Sequence, residues 1–189
     1  MIYGKGIIIQ MKKNNVWKWP ITITILTFFI ACAFSLISDL LLQKSNLLVA
    51  FFILFFFVLL GIVADIIGIA VTAANPAPFH SMAANKVKGA KTAVMLVNNA
   101  SKVSNILNDV VGDICGIICG STVVFIVLKI AEAYSIGETT LITVAMNAVL
   151  SAIIVGGKAL GKHYALNKTN EIVKGSALVM SLFTFKRNQ

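Results

Sequence analysis

The sequence predicts an all-α, polytopic membrane protein, with four transmembrane helices and a juxtamembrane helical hairpin. Three observations predict it. The first is composition: 58% of the 189 residues are apolar, 12% are charged and the mean hydropathy is +0.91, whereas about a quarter of the residues in a soluble domain are charged. The second is four long apolar runs separated by short polar segments. The third is where the positive charge lies: of the 16 Lys and Arg residues, only Lys44 and Lys129 fall outside the N-terminal arm, the loop 75–102 and the region from Lys158 onward. That asymmetry puts both termini in the cytoplasm of a multi-pass protein of the inner cell membrane. The net charge of +9 is spread through the short segments and forms no single soluble face, so no nucleic-acid partner is expected.

The first run, Ile21 to Ser38, follows Lys5, Lys12, Lys13, Lys18, Trp17, Trp19 and Pro20. A basic flank and an interfacial aromatic pair before an apolar run describe a helix entered from the cytoplasm. The run is long for a signal-peptide core, and Phe29 suits a lipidation site at Cys32 poorly, so the helix reads as an uncleaved anchor. Asp39 to Asn46 reads as a polar link, followed by a second span from Leu47 to Ala74. The first half of that span is uniformly apolar. Its second half carries Gly61, Asp65, Gly68 and Thr72 at spacings of four, three and four, a narrow small-and-polar stripe.

Asn75-Pro76-Ala77-Pro78 ends the second span. A basic amphipathic stretch follows from Phe79 to Lys102, with Phe79, Met82, Val87, Val94, Met95, Leu96 and Val97 among His80, Lys86, Lys88, Lys91 and Lys102. Gly89 is expected to divide it into two short helices at the membrane face. His80 reads as an interfacial polar residue, since no second histidine or cysteine stands at metal spacing.

The third span, Val103 to Ile130, opens with the most polar apolar run in the chain. Asn105, Asp109 and Asp113 stand at i, i+4 and i+8, beside Asn108 and Gly112, and Gly112, Gly116 and Gly120 repeat every four residues. On a helix the first set shares one polar sector, and the glycines make a smooth face for close packing of another helix. The fourth span, Leu141 to Leu160, carries Asn147, Ser151 and Lys158. Ser176 to Phe185 is too short to cross and is expected at the interface. The domain reading is therefore an arm, first helix and link over 1–46, a three-span domain over 47–175 containing the loop 75–102, and a basic tail over 176–189.

Carboxylates inside a span usually face a bundle interior or a water-filled cavity. Asp65, Thr72, Asn105, Asn108, Asp109, Asp113, Asn147 and Ser151 are all oxygen donors, which suit magnesium, calcium or sodium over zinc or copper. Three uses stay open: a mid-membrane cation site, hydrogen bonds that hold the bundle together, and a proton-coupled role. Lys158 can snorkel to water or pair with an aspartate and partly neutralise such a site. Cys115 and Cys119, one turn apart, read as packing residues beside the glycines, and the three cysteines lie in apolar runs where no disulfide framework is expected. No Gly-rich phosphate loop, His-Glu-x-x-His or Gly-x-Ser-x-Gly occurs, so the chain does not read as an enzyme.

From Ala64 to Val173 the order of segments resembles the membrane domain of the cyclin M and CorB/CorC magnesium-transporter family. The resemblance rests on A-D-I-I-G-I-A-V-T-A-A at 64 to 74, G-A-K-T-A-V-M-L-V-N-N at 89 to 99, I-L-N-D-V-V-G at 106 to 112 and G-K-A-L-G-K-H-Y-A-L-N at 157 to 167. Asn108 keeps a signature asparagine, Asp65 stands near a family serine, Lys158 where the family has glutamate, and Gly161 where it has proline. The resemblance implies magnesium or related divalent-cation transport or efflux, with no covalently bound cofactor. Asp65, Asn108, Asp109 and Asp113 would be ligands or hydration-shell contacts, with Thr72, Asn147, Ser151 and Lys158 behind them. It also implies a homodimer, for which Gly112, Gly116 and Gly120 offer a contact face, and leaves room for a soluble regulatory partner in place of the family's nucleotide-binding domains. The alternative is a diverged membrane interaction or scaffold protein whose polar stripes are structural.

Overall fold

Apolar runs free of interior proline propagate as helices, and the structure, a computed structural model, is almost entirely helical over the residues it describes, 18–43 and 45–185. Lys5, Lys12, Lys13 and Trp17 of the basic arm, Lys44 of the link, and Lys186 and Arg187 of the tail lie outside the described residues. The helices are α1 (Lys18–Gln43), α2 (Leu47–Ala73), α3 (Pro76–Ala84), α4 (Ala90–Asn98), α5 (Ala100–Ser104), a π-helical segment (Asn105–Val111), α6 (Gly112–Tyr134), α7 (Thr140–Asn167) and α8 (Thr169–Phe185). Four stretches are long and apolar enough to cross a membrane: Pro20–Leu42, Leu47–Ala73, the continuous Ala100–Tyr134, and Thr140–Asn167.

The spans run past several expected ends. Leu40, Leu41 and Leu42 are strong helix formers, so α1 continues through Asp39, which was expected in the link. α7 continues beyond Leu160 because Gly161, which could have ended it, is buried against α2. A Cβ at Gly157 would come within 2.5 Å of Ile62 Cδ1, and one at Gly161 within 2.6 Å of Ile66 Cγ1, so this glycine pair lets α7 approach α2 closely.

α2 is the hub of the bundle and packs on α6, α7 and α8. Its Gly61 meets Cys115 of α6, with 3.3 Å between the Cys115 Cβ and the place a glycine Cβ would occupy. Val58 of α2, Cys119, Val123 and Val127 of α6 and Leu150 of α7 form the central core. α1 packs mainly along α6, and its Ile23, Ile30 and Ala31 lie against Val110 of the π-helical segment and Ile114 and Ile118 of α6.

At one end α3, α4 and α8 form a collar. Asn75 starts α3 by accepting a hydrogen bond from the Ala77 N–H at 3.0 Å, with Pro76 at the first helical position. Gly89, in the left-handed region at φ +79°, separates α3 from α4, so the stretch is a helical hairpin. Phe79, Ala93, Leu96 and Val97 are buried there with Ala70, Val71, Ala165, Val173 and Ala177. The last two belong to α8, a continuous helix that spans the expected tail boundary between 175 and 176 and joins the collar core.

Candidate functional site

The third crossing places Asn105, Asn108 and Asp109 where it departs from α geometry, in the π-helical turn Asn105–Val111, with Asp113 in the first turn of α6. Such wide turns inside α-helices are frequent at functional sites. Asn105, Asp109 and Asp113 keep the common sector their spacing predicts, whereas Asn108 and Gly112 turn to another face.

That second face looks toward α2 and α7. Asp65 of α2 and Lys158 of α7 approach to 3.8 Å between Oδ1 and Nζ, with side chains 15% and 30% exposed. Gly112 leaves room for the ammonium group, since a Cβ there would stand 3.5 Å from Nζ. One turn earlier, the Asn108 side chain is pressed against Gly68 of α2, in the space a Cβ at Gly68 would fill. The Asn108 Nδ2 donates to Ser104 Oγ at 3.3 Å, and its Oδ1 is buried without a hydrogen-bond partner among the described residues. An unmade hydrogen bond of this kind costs about 1–3 kcal/mol, and close helix packing at Gly68 offsets it. Asp65 lies eight residues before the end of α2, about 12 Å along the axis from that end, so the pair sits toward the collar and off the middle of the span.

The first face looks toward α1. Ile23, Thr24, Thr27, Phe28 and Ala31 of α1 and Asn105, Asp109, Val110 and Asp113 line a groove of about 370 Å³. Asp109 and Asp113 are exposed, and no described residue pairs with either carboxylate. Thr24 and Thr27 donate their hydroxyl protons to the carbonyls of Pro20 and Ile23, at 2.9 and 2.7 Å, which leaves the oxygens' lone pairs free to accept.

Comparison with protein-family models, curated proteins and solved structures finds no match for this chain. The chemistry therefore rests on the side chains.

The four expected cation ligands do not form one set. Asp65 and Asn108 belong to the α2 and α7 side of the third crossing, Asp109 and Asp113 to the α1 side. Among the described residues no three His, Cys, Asp or Glu side chains come together in a way that could hold a metal ion. Thr72 is exposed and its hydroxyl is taken up by the Gly68 and Ile69 carbonyls at 2.7 and 3.0 Å; Asn147 is half-buried on α7 and Ser151 is exposed. No atom of another described helix lies within 4 Å of where a Cβ would be at Gly116 or Gly120, so among the described residues their face is open. The glycines that bring helices together are Gly61, Gly68, Gly157 and Gly161. Their signal was in the sequence, as small residues spaced seven and four apart, and Thr24 and Thr27 were legible only as part of an apolar anchor.

Proposed function

We propose that this chain is a membrane cation-binding protein that carries a divalent ion, with magnesium the first to test, across the bilayer. The observation that supports this reading is the groove beside α1, where two carboxylates one turn apart on a membrane-crossing helix lack a cationic partner among the described residues. An ionised carboxylate in a span needs water or a counter-ion around it, and a hydrated cation supplies both. Magnesium keeps several waters and needs only one or two carboxylates. At about 370 Å³ the groove has room for a hydrated ion, since a water takes about 30 Å³. Asp109 and Asp113 are then the contacts to the ion, and Asn105, Thr24 and Thr27 hold its waters.

The resemblance to the CorB/CorC membrane domain fits the same reading, in an inner membrane with the collar on the cytoplasmic side. Pairing of two copies would use the open Gly116 and Gly120 face, flanked by exposed Ile117, Val124 and Leu128. One observation favours the other reading, that of a membrane scaffold. Lys158 already neutralises Asp65, which makes that part of the polar network structural.

The test is thermal unfolding of the detergent-purified protein across a magnesium titration, with calcium and sodium alongside, on the wild type and on Asp109→Asn. Saturable magnesium stabilisation that disappears in the variant supports the cation reading. A variant that unfolds early whether or not ions are present supports the scaffold.

A further inference from the structure

We infer that the cavity at the α3–α4 turn seats the phosphate headgroup of an anionic phospholipid. The cavity has a volume of about 360 Å³ and is lined by Ala83, Lys86, Val87, Gly89, Lys91 and Thr92. Its charge is one-sided. From Pro76 to Ser104 the chain contains no Asp or Glu, and no described carboxylate pairs with Lys86, Lys88 or Lys91. The nearest acid in sequence within the collar helices, Glu171 of α8, is held by Lys168 at 2.9 Å. A phosphate group placed between Lys86 and Lys91 meets two ammonium groups and, at Thr92, a hydroxyl donor.

The turn is a formed feature. Lys86 and Gly89 both take left-handed backbone conformations, at φ 56° and +79°. Gly89 is backed by Leu178 of α8, whose Cδ2 lies 3.0 Å from where a Cβ would be. Replacing Gly89 would therefore disturb both the turn and the α8 contact.

A lipid fits better than free phosphate because the lysines share the patch with apolar surface. Ala83 and Val87 line the cavity, and Val87 and Met95 stay 38% and 48% exposed on a helical hairpin that buries Phe79, Ala93, Leu96 and Val97 in the collar. Only two residues separate the hairpin from the end of α2, so the hairpin follows directly on a span. Basic side chains beside apolar ones are what the boundary between headgroups and acyl chains accommodates.

The full chain, reconstituted in phosphatidylcholine nanodiscs, should be titrated with phosphatidylglycerol. Additional phosphatidylcholine and inorganic phosphate serve as separate probes, with bound lipid read by native mass spectrometry. Lys86→Gln/Lys91→Gln should weaken phosphatidylglycerol binding about thirtyfold, as expected for two near-surface lysines. Lys162→Gln/Lys174→Gln, which removes the same charge elsewhere at this end, should change it no more than about twofold, as circular dichroism confirms that both variants keep their helices. Equal loss in the two double variants would overturn the seat and leave only a diffuse positive surface. Equal binding of phosphatidylcholine, or inorganic phosphate displacing the lipid, would overturn the choice of ligand.

Discussion

The third crossing carries two polar faces a few residues apart, and they differ in whether their charge is answered from within the chain. On the α2 and α7 side, Asp65 meets Lys158 at 3.8 Å and Asn108 is pressed against Gly68. On the α1 side, Asp109 and Asp113 line a groove with no described partner. The first face joins the third crossing to α2 and α7, while the second lies along α1, which packs mainly on α6. A carboxylate in a span can thus be a strut or a contact for something mobile. Its partner decides which, and its residue type does not.

The sharpest way to break this contrast is to remove one member of the pair. Lys158→Met leaves Asp65 unanswered and should lower stability by about 1–3 kcal/mol, less than for a fully buried pair because Lys158 is 30% exposed. Asp65→Asn/Lys158→Met should recover most of that loss in thermal unfolding, since both charges leave together. A double variant as unstable as the single one would mean that the two side chains do not act as a pair.

Gly68→Ala comes next. Its Cβ would run into the Asn108 side chain, and displacing that side chain from a tight contact should cost about 1–2 kcal/mol. Asn108→Ala in the same chain should relieve it. The open glycines sharpen the comparison by contrast: Gly116→Ala has no neighbour to strike, so it should be neutral or slightly stabilising in the monomer through helix propensity. A loss of a purified dimer by size-exclusion chromatography would place that face at a subunit contact.

Smaller effects are expected on the α1 side. Asp109→Asn and Asp113→Asn, with no partner to lose, should each change stability by less than about 0.5 kcal/mol while reducing any ion-dependent stabilisation. The water-exposed pair of Lys168 and Glu171 gives the lower limit. The hydrogen bond and charge of Glu171 hold the Lys168 ammonium above its ordinary pKa. Its small contribution is therefore complete below the usual lysine range and disappears as pH rises through the folded value. Glu171→Gln should flatten the pH dependence of unfolding in that alkaline window by removing the small contribution present at neutral pH, and leave stability above the window unchanged.

The crossings and the hairpin were legible in the sequence because bilayer thickness and glycine punctuation act locally. Twenty or more apolar residues, a proline pair after Ala74 and a glycine at position 89 each carry their own signal. Helix ends were less legible. Asp39 and Gly161 look like breaks until the leucines that follow one and the isoleucine that covers the other are known. The polar set was half legible. Spacing placed Asn105, Asp109 and Asp113 together, yet it could not show that Asn108 and Gly112 answer to α2 and α7, because that depends on which helices flank the crossing. Lys158 was visible as a competitor for an aspartate, and only the packing of α7 on α2 through Gly157 and Gly161 selects Asp65.

The most direct test of the division between the two faces is magnesium flux into liposomes that carry the purified protein. It should be measured for the wild type, for Asp109→Asn/Asp113→Asn and for Asp65→Asn/Lys158→Met. The expected result is flux lost in the first variant, with its unfolding unchanged, and retained in the second. Flux that survives removal of Asp109 and Asp113 but fails without Asp65 and Lys158 would contradict it and move the ion's path to the other face of the same helix.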